Sequence, residues 1–276
     1  MRIAGAPISW GVSEVPGWGH QLDAARVLRE MREIGLTATE FGPEGFLPGG
    51  RVPGGSGLAA VGGFVPVVLH DGVPDVDLAR FAAAGADTVV LAAATGWAGY
   101  DVRPELDESG WQRTLANLDA LDAAARSLGL TAVLHPHVGT MIERPAEIRQ
   151  VLAGSTIALC LDTGHLLIGG TDPAELAERY GDRIAHVHAK DVDAGLAAEV
   201  REGRRTFTGA VRAGMFRPVG DGDVDFARVV AALRRHAYDG WWVLEQDIML
   251  AAEPAGPGPA ADVRRSAERL RALLQA

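Results

Sequence analysis

The chain has one cysteine, Cys160, in 276 residues. That excludes an internal disulfide framework and a cysteine-rich zinc site. Basic residues are in the minority: 26 Lys and Arg face 36 Asp and Glu, a net charge of −10. Proteins that hold duplex nucleic acid neutralise its phosphates with Lys and Arg, so this balance argues against nucleic acid as the main partner. Long apolar runs are missing too. The longest uncharged stretch, Val52 to Leu69, holds five glycines and two prolines and cannot cross lipid as a helix. The opening MRIAGAPISW lacks the charged start and apolar core of a secretory signal. Hydrophobic residues at 47 % and charged residues at 22 % exclude general disorder. The expectation is a soluble cytoplasmic protein with no membrane partner.

What is present is alternation. Eight short apolar runs read as buried strands: Ile3 to Trp10, Ala38 to Gly42, Pro66 to His70, Thr88 to Ala94, Thr131 to His137, Ile157 to Asp162, Ile184 to His188 and Trp241 to Glu245. Helical patterns lie between most of them, over Leu22 to Ile34, Glu105 to Leu128, Pro145 to Leu152, Pro173 to Tyr180, Phe226 to His236 and Asp262 to Leu274. Units of roughly 35 residues fit strand–helix repeats. No G-x-G-x-x-G follows the first strand, which leaves a doubly wound open sheet as the weaker reading. The fold expected is a single (β/α)8 TIM barrel in one domain, residues 1–276. Two pieces are irregular. Residues 42–63 carry nine glycines, so the second unit has a shortened helix or a loop; Val192 to Asp225 is a long connection of the kind that often carries function.

Barrel active sites lie at the C-terminal strand ends. There the sequence places Glu40, His70, His135 and His137, Asp162 with His165, His186 and His188 with Lys190 and Asp191, and Glu245 with Asp247. Each residue alone has a plain structural reading. A strand-end histidine is commonly a hydrogen-bonded core residue, Asp162 before Thr-Gly can cap a loop, and Glu245 can pair with Lys190. Together they need another explanation, because carboxylates converging on one mouth repel each other unless a cation lies between them. Imidazole and carboxylate in one site suit Zn2+, Mn2+, Co2+ or Fe2+.

The motifs APISWG (6–11), TEFGPEGFLP (39–48), HPHVGT (135–140), LDTGH (161–165), HVHAKD (186–191) and PVGDGDVDF (218–226) resemble inosose dehydratase, a family of the sugar-phosphate isomerase/epimerase, or xylose isomerase-like, TIM barrels. The resemblance runs from Ile3 to about Asp247. It implies a metal held by Asp162, His188 and Glu245, with either Glu143 or His135 as the fourth ligand and Glu143 favoured because it keeps the usual charge. His135 then faces substrate. The ion implied is Mn2+ or Co2+, with Zn2+, Mg2+ or Fe2+ as alternatives, and glutathione is sometimes associated with the family. The glycine-rich 42–63 segment departs from relatives, which carry a helix there, and so bears on substrate identity.

The implied reaction removes water from 2-keto-myo-inositol to give a trihydroxycyclohexane dione. A proton must leave the carbon next to the ketone, the resulting charge must be stabilised, and a hydroxyl must depart with help from an acid. Histidine suits proton transfer near neutral pH. His137 is the candidate acid or base, and His135, His165 and Lys190 complete the catalytic candidates. Trp10, Glu40, His70, Asp191 and Asp247 are the candidate contacts to a polyol ketone or sugar. The rival enzyme is a ketose 3-epimerase or aldose–ketose isomerase; histidines in place of a strand-five glutamate favour dehydration. A metal-dependent apurinic endonuclease is disfavoured by charge. A non-catalytic sugar-binding or partner subunit would have lost metal ligands, whereas Asp162, His188 and Glu245 remain. Trp97 and Trp111 are candidates to line a homo-oligomer interface.

Overall fold

The computed structural model describes residues 2–276. Its strands, in chain order, are β1 (Arg2–Gly5), β2 (Ala38–Thr39), β3 (Ala59–Ala60), β4 (Gly62–Val67), β5 (Thr88–Ala93), β6 (Thr131–Leu134), β7 (Ala158–Asp162), β8 (Ile184–Ala189), β9 (Asp191–Val192), β10 (Phe216–Arg217) and β11 (Trp241–Leu244). Nine of them form one sheet in the order β3-β2-β1-β11-β8-β7-β6-β5-β4, and its paired neighbours are parallel. The two ends of that order, β3 and β4, are halves of one stretch separated only by Val61. The sheet therefore closes on itself as an eight-stranded barrel. Val61 is the joint: its N–H donates to the Thr39 carbonyl at 3.0 Å, and its own carbonyl accepts from Thr88 at 3.0 Å. Next to it, a Cβ on Gly62 would lie 1.9 Å from the Thr88 carbonyl oxygen, so only glycine lets the strands meet here.

The third strand thus lies at residues 59–67, not at Pro66 to His70 as the sequence suggests. Its first half is Ala-Ala-Val-Gly-Gly, whose small residues read as loop yet suit a tight seam. The link from β2 to β3 has no α-helix, only the 3-10 turns Pro48–Gly50 and Gly54–Ser56. Three other strands, β1, β2 and β6, stop several residues earlier than the apolar runs suggest. Pro7 opens a 3-10 turn, Pro7–Trp10, after β1, and β6 ends at Leu134, leaving His135 and His137 on the loop beyond.

Helices cover the outside. Ala24–Glu33, Glu108–Ser127, Pro173–Tyr180 and Phe226–Arg235 each start after an Asp whose carboxylate accepts a first-turn N–H. The long Val192–Asp225 connection folds into helices Ala194–Arg201 and Phe207–Arg212 and the antiparallel β9–β10 pair. Alternation within the strands divides the core. Val89 and Leu91 of β5 join the large cluster shared with the helices, whereas Val90 packs with Val133 and Cys160 in a separate cluster. On β8 the same period sends Val187 to the helices and leaves His186 and His188 buried on the other face. Cys160 is buried, and burial raises its thiol to about 11, so it is protonated and unreactive. No helix among the described residues is long and apolar enough to cross a membrane.

Candidate active site

A cavity of about 370 Å³ opens at the C-terminal strand ends. Glu40, His135, His137, Lys190, Glu245 and Asp247 line it. Phe64, Tyr100, Phe207 and Glu14 also line it, and no sequence motif marks them. Phe64 lies between the glycine-rich 42–63 stretch and the strand expected at Pro66 to His70, and Phe207 in the long connection. Tyr100 donates its hydroxyl proton to Glu14 at 2.9 Å across the mouth and packs its ring 4.6 Å from that of His137.

Below the cavity, one donor atom from each of His135, Asp162, His188 and Glu245 lies within 4.8 Å of the others. Asp162 closes β7 and caps the helix Thr163–Gly169: its Oδ1 accepts from the His165 N–H at 2.7 Å. Its Oδ2 is left buried without a hydrogen-bond partner, as are His188 Nδ1 and Glu245 Oε2. His188 Nδ1 is 2.6 Å from Glu245 Oε2 and 3.4 Å from Asp162 Oδ2, while His135 Nε2 is 3.2 Å from Asp162 Oδ2. The carbonyl of Pro136 lies 3.0 Å from His135 Nδ1, so that nitrogen carries the proton and Nε2 keeps a lone pair. Unpaired buried oxygens and nitrogens pointing at one another are costly in the absence of a cation. Two carboxylates and two imidazoles are a suitable donor set for a divalent ion.

The charges around the cluster are consistent with this. Burial opposes ionisation of Asp162, yet the Lys190 ammonium holds its carboxyl well below the usual range. Burial likewise disfavours a charged His188, but the carboxylates of Glu245 and Glu40 outweigh it and raise that ring. Lys190 Nζ is 2.9 Å from Asp247 Oδ1, 3.4 Å from Glu245 Oε1 and 3.5 Å from Asp162 Oδ2, and these acids keep the buried amine charged. Burial pushes Asp247 up to about 7, with Lys190 opposing the shift and Glu245 adding to it. His137 and His165 are both lowered, first by burial and then by each other or His135 and by Lys190.

Five of the sequence-based candidates sit elsewhere or act differently. Glu143 does not join the cluster: its Oε2 accepts from Gly139 N–H at 2.9 Å and faces Arg103 Nε at 3.5 Å. That guanidinium satisfies its charge away from the cavity, and His135 occupies the fourth position. Trp10 is fully buried and donates its indole N–H to Glu30 Oε2 at 2.7 Å, so it packs under the site and does not contact it. Asp191 is a loop organiser. Its carboxylate accepts from Gly220, Gly222, Val224 and its neighbour Val192, which explains the PVGDGDVDF motif. A Cβ on Gly222 would lie 2.4 Å from Asp191 Oδ1. His70 follows β4 by three residues and is not among the cavity-lining residues; the Arg113 guanidinium fixes its backbone carbonyl at 2.7 Å. His165 lies behind the lining, stacked on His137, with its Nε2 3.1 Å from Lys190 Nζ. Of the two tryptophans considered for an interface, Trp97 is 57 % exposed, whereas Trp111 packs against the core.

Comparison with known proteins agrees with this architecture. The family model for xylose isomerase-like TIM barrels matches residues 76–273. Inosose dehydratase of Geobacillus kaustophilus (strain HTA426) is 33 % identical over 269 residues, covering 90 % of this chain and 87 % of that protein. Among solved structures, L-ribulose 3-epimerase superimposes with a TM-score of 0.70 at 17 % identity, over 99 % of this chain and 94 % of that one. The IOLI protein with a bound zinc atom also gives a TM-score of 0.70, at 12 % identity, over 100 % of this chain and 98 % of that one. The chain belongs to the xylose isomerase-like TIM barrel family.

Proposed function

We propose that the chain is a metal-dependent hydro-lyase that removes water from 2-keto-myo-inositol or a closely related cyclic polyol ketone. One observation carries the reading: the orphaned donor atoms of Asp162, His188 and Glu245, with His135 Nε2, converge beneath a cavity lined by His137 and Lys190. The likeness to inosose dehydratase over 90 % of the chain supplies the substrate. Mn2+ or Co2+ is the ion the resemblance favours, and the IOLI protein, of like fold, carries a bound zinc atom. When bound, such an ion supplies Lewis acidity to a ketone oxygen.

The remaining work falls to this chain's side chains. The Val138 carbonyl is 2.7 Å from His137 Nδ1, which places the proton there and leaves Nε2 as the basic nitrogen. Neutral and buried, His137 can take the proton next to the ketone and return it to a departing hydroxyl. His165, stacked against it, holds its ring plane. Lys190, kept charged by three acids, stabilises oxygen that becomes negative. Asp247, whose carboxyl burial pushes up to about 7, can accept or donate a hydrogen bond to substrate hydroxyls.

The test is an assay with 2-keto-myo-inositol and Mn2+, following dione absorbance. Turnover that a chelator abolishes is expected. A second reading, ketose 3-epimerisation, draws on the fold shared with L-ribulose 3-epimerase. Metal-loaded protein that leaves the inosose unchanged but epimerises a ketose would establish it in place of the first.

A further inference from the structure

We propose that Glu40 is a positioning residue for the metal cluster: it locks His188 in the tautomer that carries its proton on Nε2, and so turns the Nδ1 lone pair toward Asp162 and Glu245. This rests on the reading that His135, Asp162, His188 and Glu245 hold a divalent cation.

Glu40 follows β2, which β1 and β11 separate from β8 around the barrel. The two-residue period of β8 places His186 and His188 on one face, with ring centroids 5.2 Å apart at 75°. Glu40 Oε1 lies 3.0 Å from His186 Nε2 and 3.1 Å from His188 Nε2. An ionised carboxylate only accepts, and a neutral imidazole carries one N–H. Both rings must therefore be protonated on Nε2, and a His188 that ligates a cation carries no second proton, so its Nδ1 is bare. That bare nitrogen is the one facing Asp162 Oδ2 and Glu245 Oε2. The Nδ1 of His186 is a buried nitrogen with no partner. His186 thus adds no ligand to the cluster; it holds the shared oxygen in place as a second donor. Glu40 is 4 % exposed and both rings are buried, so the contacts are largely shielded from bulk solvent. The order of dependence is His186 to Glu40 to His188 to the cluster. Ligating histidines commonly have such a carboxylate behind them, and its loss weakens metal binding about 10- to 100-fold.

Glu40, His186 and His188 also lie close enough to form a ligand group of their own, so metal stoichiometry separates the two roles. The experiment loads wild type and Glu40→Gln with Co2+, and measures stoichiometry, affinity by chelator competition, and the visible absorption bands. One ion per wild-type chain is expected. In Glu40→Gln, affinity falls about 10- to 100-fold and the bands shift, because an amide can donate as well as accept and no longer imposes one tautomer. Unchanged affinity and bands in the variant overturn the proposal, as does a second ion per chain that the variant alone loses. A wild-type chain that binds no Co2+ overturns the metal reading as well, which distinguishes the two failures. Should Glu40→Gln fail to fold, 15N-histidine NMR of the Zn2+-loaded wild type decides: a proton on His188 Nε2 supports the proposal, and one on Nδ1 overturns it.

Discussion

The imidazole of His137 lies over that of His165 with centroids 3.7 Å apart and planes inclined by 30°. Two buried rings at this distance cannot both be charged, and both are held below the ordinary histidine range by burial and nearby cations. One of them, His137, lines the cavity. Replacing it with alanine should lower turnover about 100- to 10,000-fold, the usual range for a lost acid or base, with metal content nearly unchanged. A folded, metal-loaded variant at wild-type rate would make His137 structural. A variant that still exchanges the proton next to the ketone in D2O, yet no longer dehydrates, would make His137 the acid.

Asp162 has two tasks, one on each oxygen. Oδ1 caps the helix that follows, and Oδ2 faces the cluster. Asparagine keeps an oxygen for the cap but carries no charge. Asp162→Asn is therefore expected to fold and to lose metal and activity together, read by elemental analysis of the purified variant. Full metal occupancy would contradict this.

His135 and Glu143 can be told apart directly. His135→Ala removes a donor atom from the cluster and should reduce metal affinity. Glu143→Gln alters a carboxylate held by Gly139 and Arg103 and should leave metal content unchanged. Isothermal titration with Mn2+ compares them, and the opposite ranking would restore Glu143 as the fourth ligand.

Gly62 tests the barrel closure. A methyl group there would meet the Thr88 carbonyl oxygen at 1.9 Å, so β4 and β5 must separate. Gly62→Ala should cost about 3 kcal/mol, in the upper part of the usual range for single changes, and lower Tm accordingly. A Tm equal to wild type would mean that the third strand runs differently.

At the surface, His236 Nδ1 is 2.8 Å from Asp182, and that contact raises the ring above its usual range, with help from the Glu178 carbonyl. A raised folded-state pKa adds stability that is complete below the unfolded value of about 6.5 and is lost as pH rises through the folded value. Proton NMR of the His236 ring should show its midpoint fall in Asp182→Asn. An unchanged midpoint would separate the two residues.

Much of this protein is legible in one dimension. Continuous apolar runs such as ALCLD and WWVLE mark strands covered on both faces, and the acid that ends each run marks the mouth of the barrel. The period of two in HVH already places His186 and His188 on one side of β8. The seam at 59–67 is harder to read, because its alanines and glycines carry loop composition while their small size is what lets the strands join.

Spacing alone determined the barrel and the side on which its chemistry lies, since strand period and strand ends are local properties of the chain. Partners were decided by the tertiary structure. Arg103 claims Glu143, Glu30 claims Trp10, and the 220–224 loop claims Asp191. Each of those side chains has a sequence position suited to the site, and each is satisfied by a group far away in the chain. A carboxylate or an indole N–H goes to whichever partner the fold brings within 3.5 Å, and that distance is set only when the barrel closes.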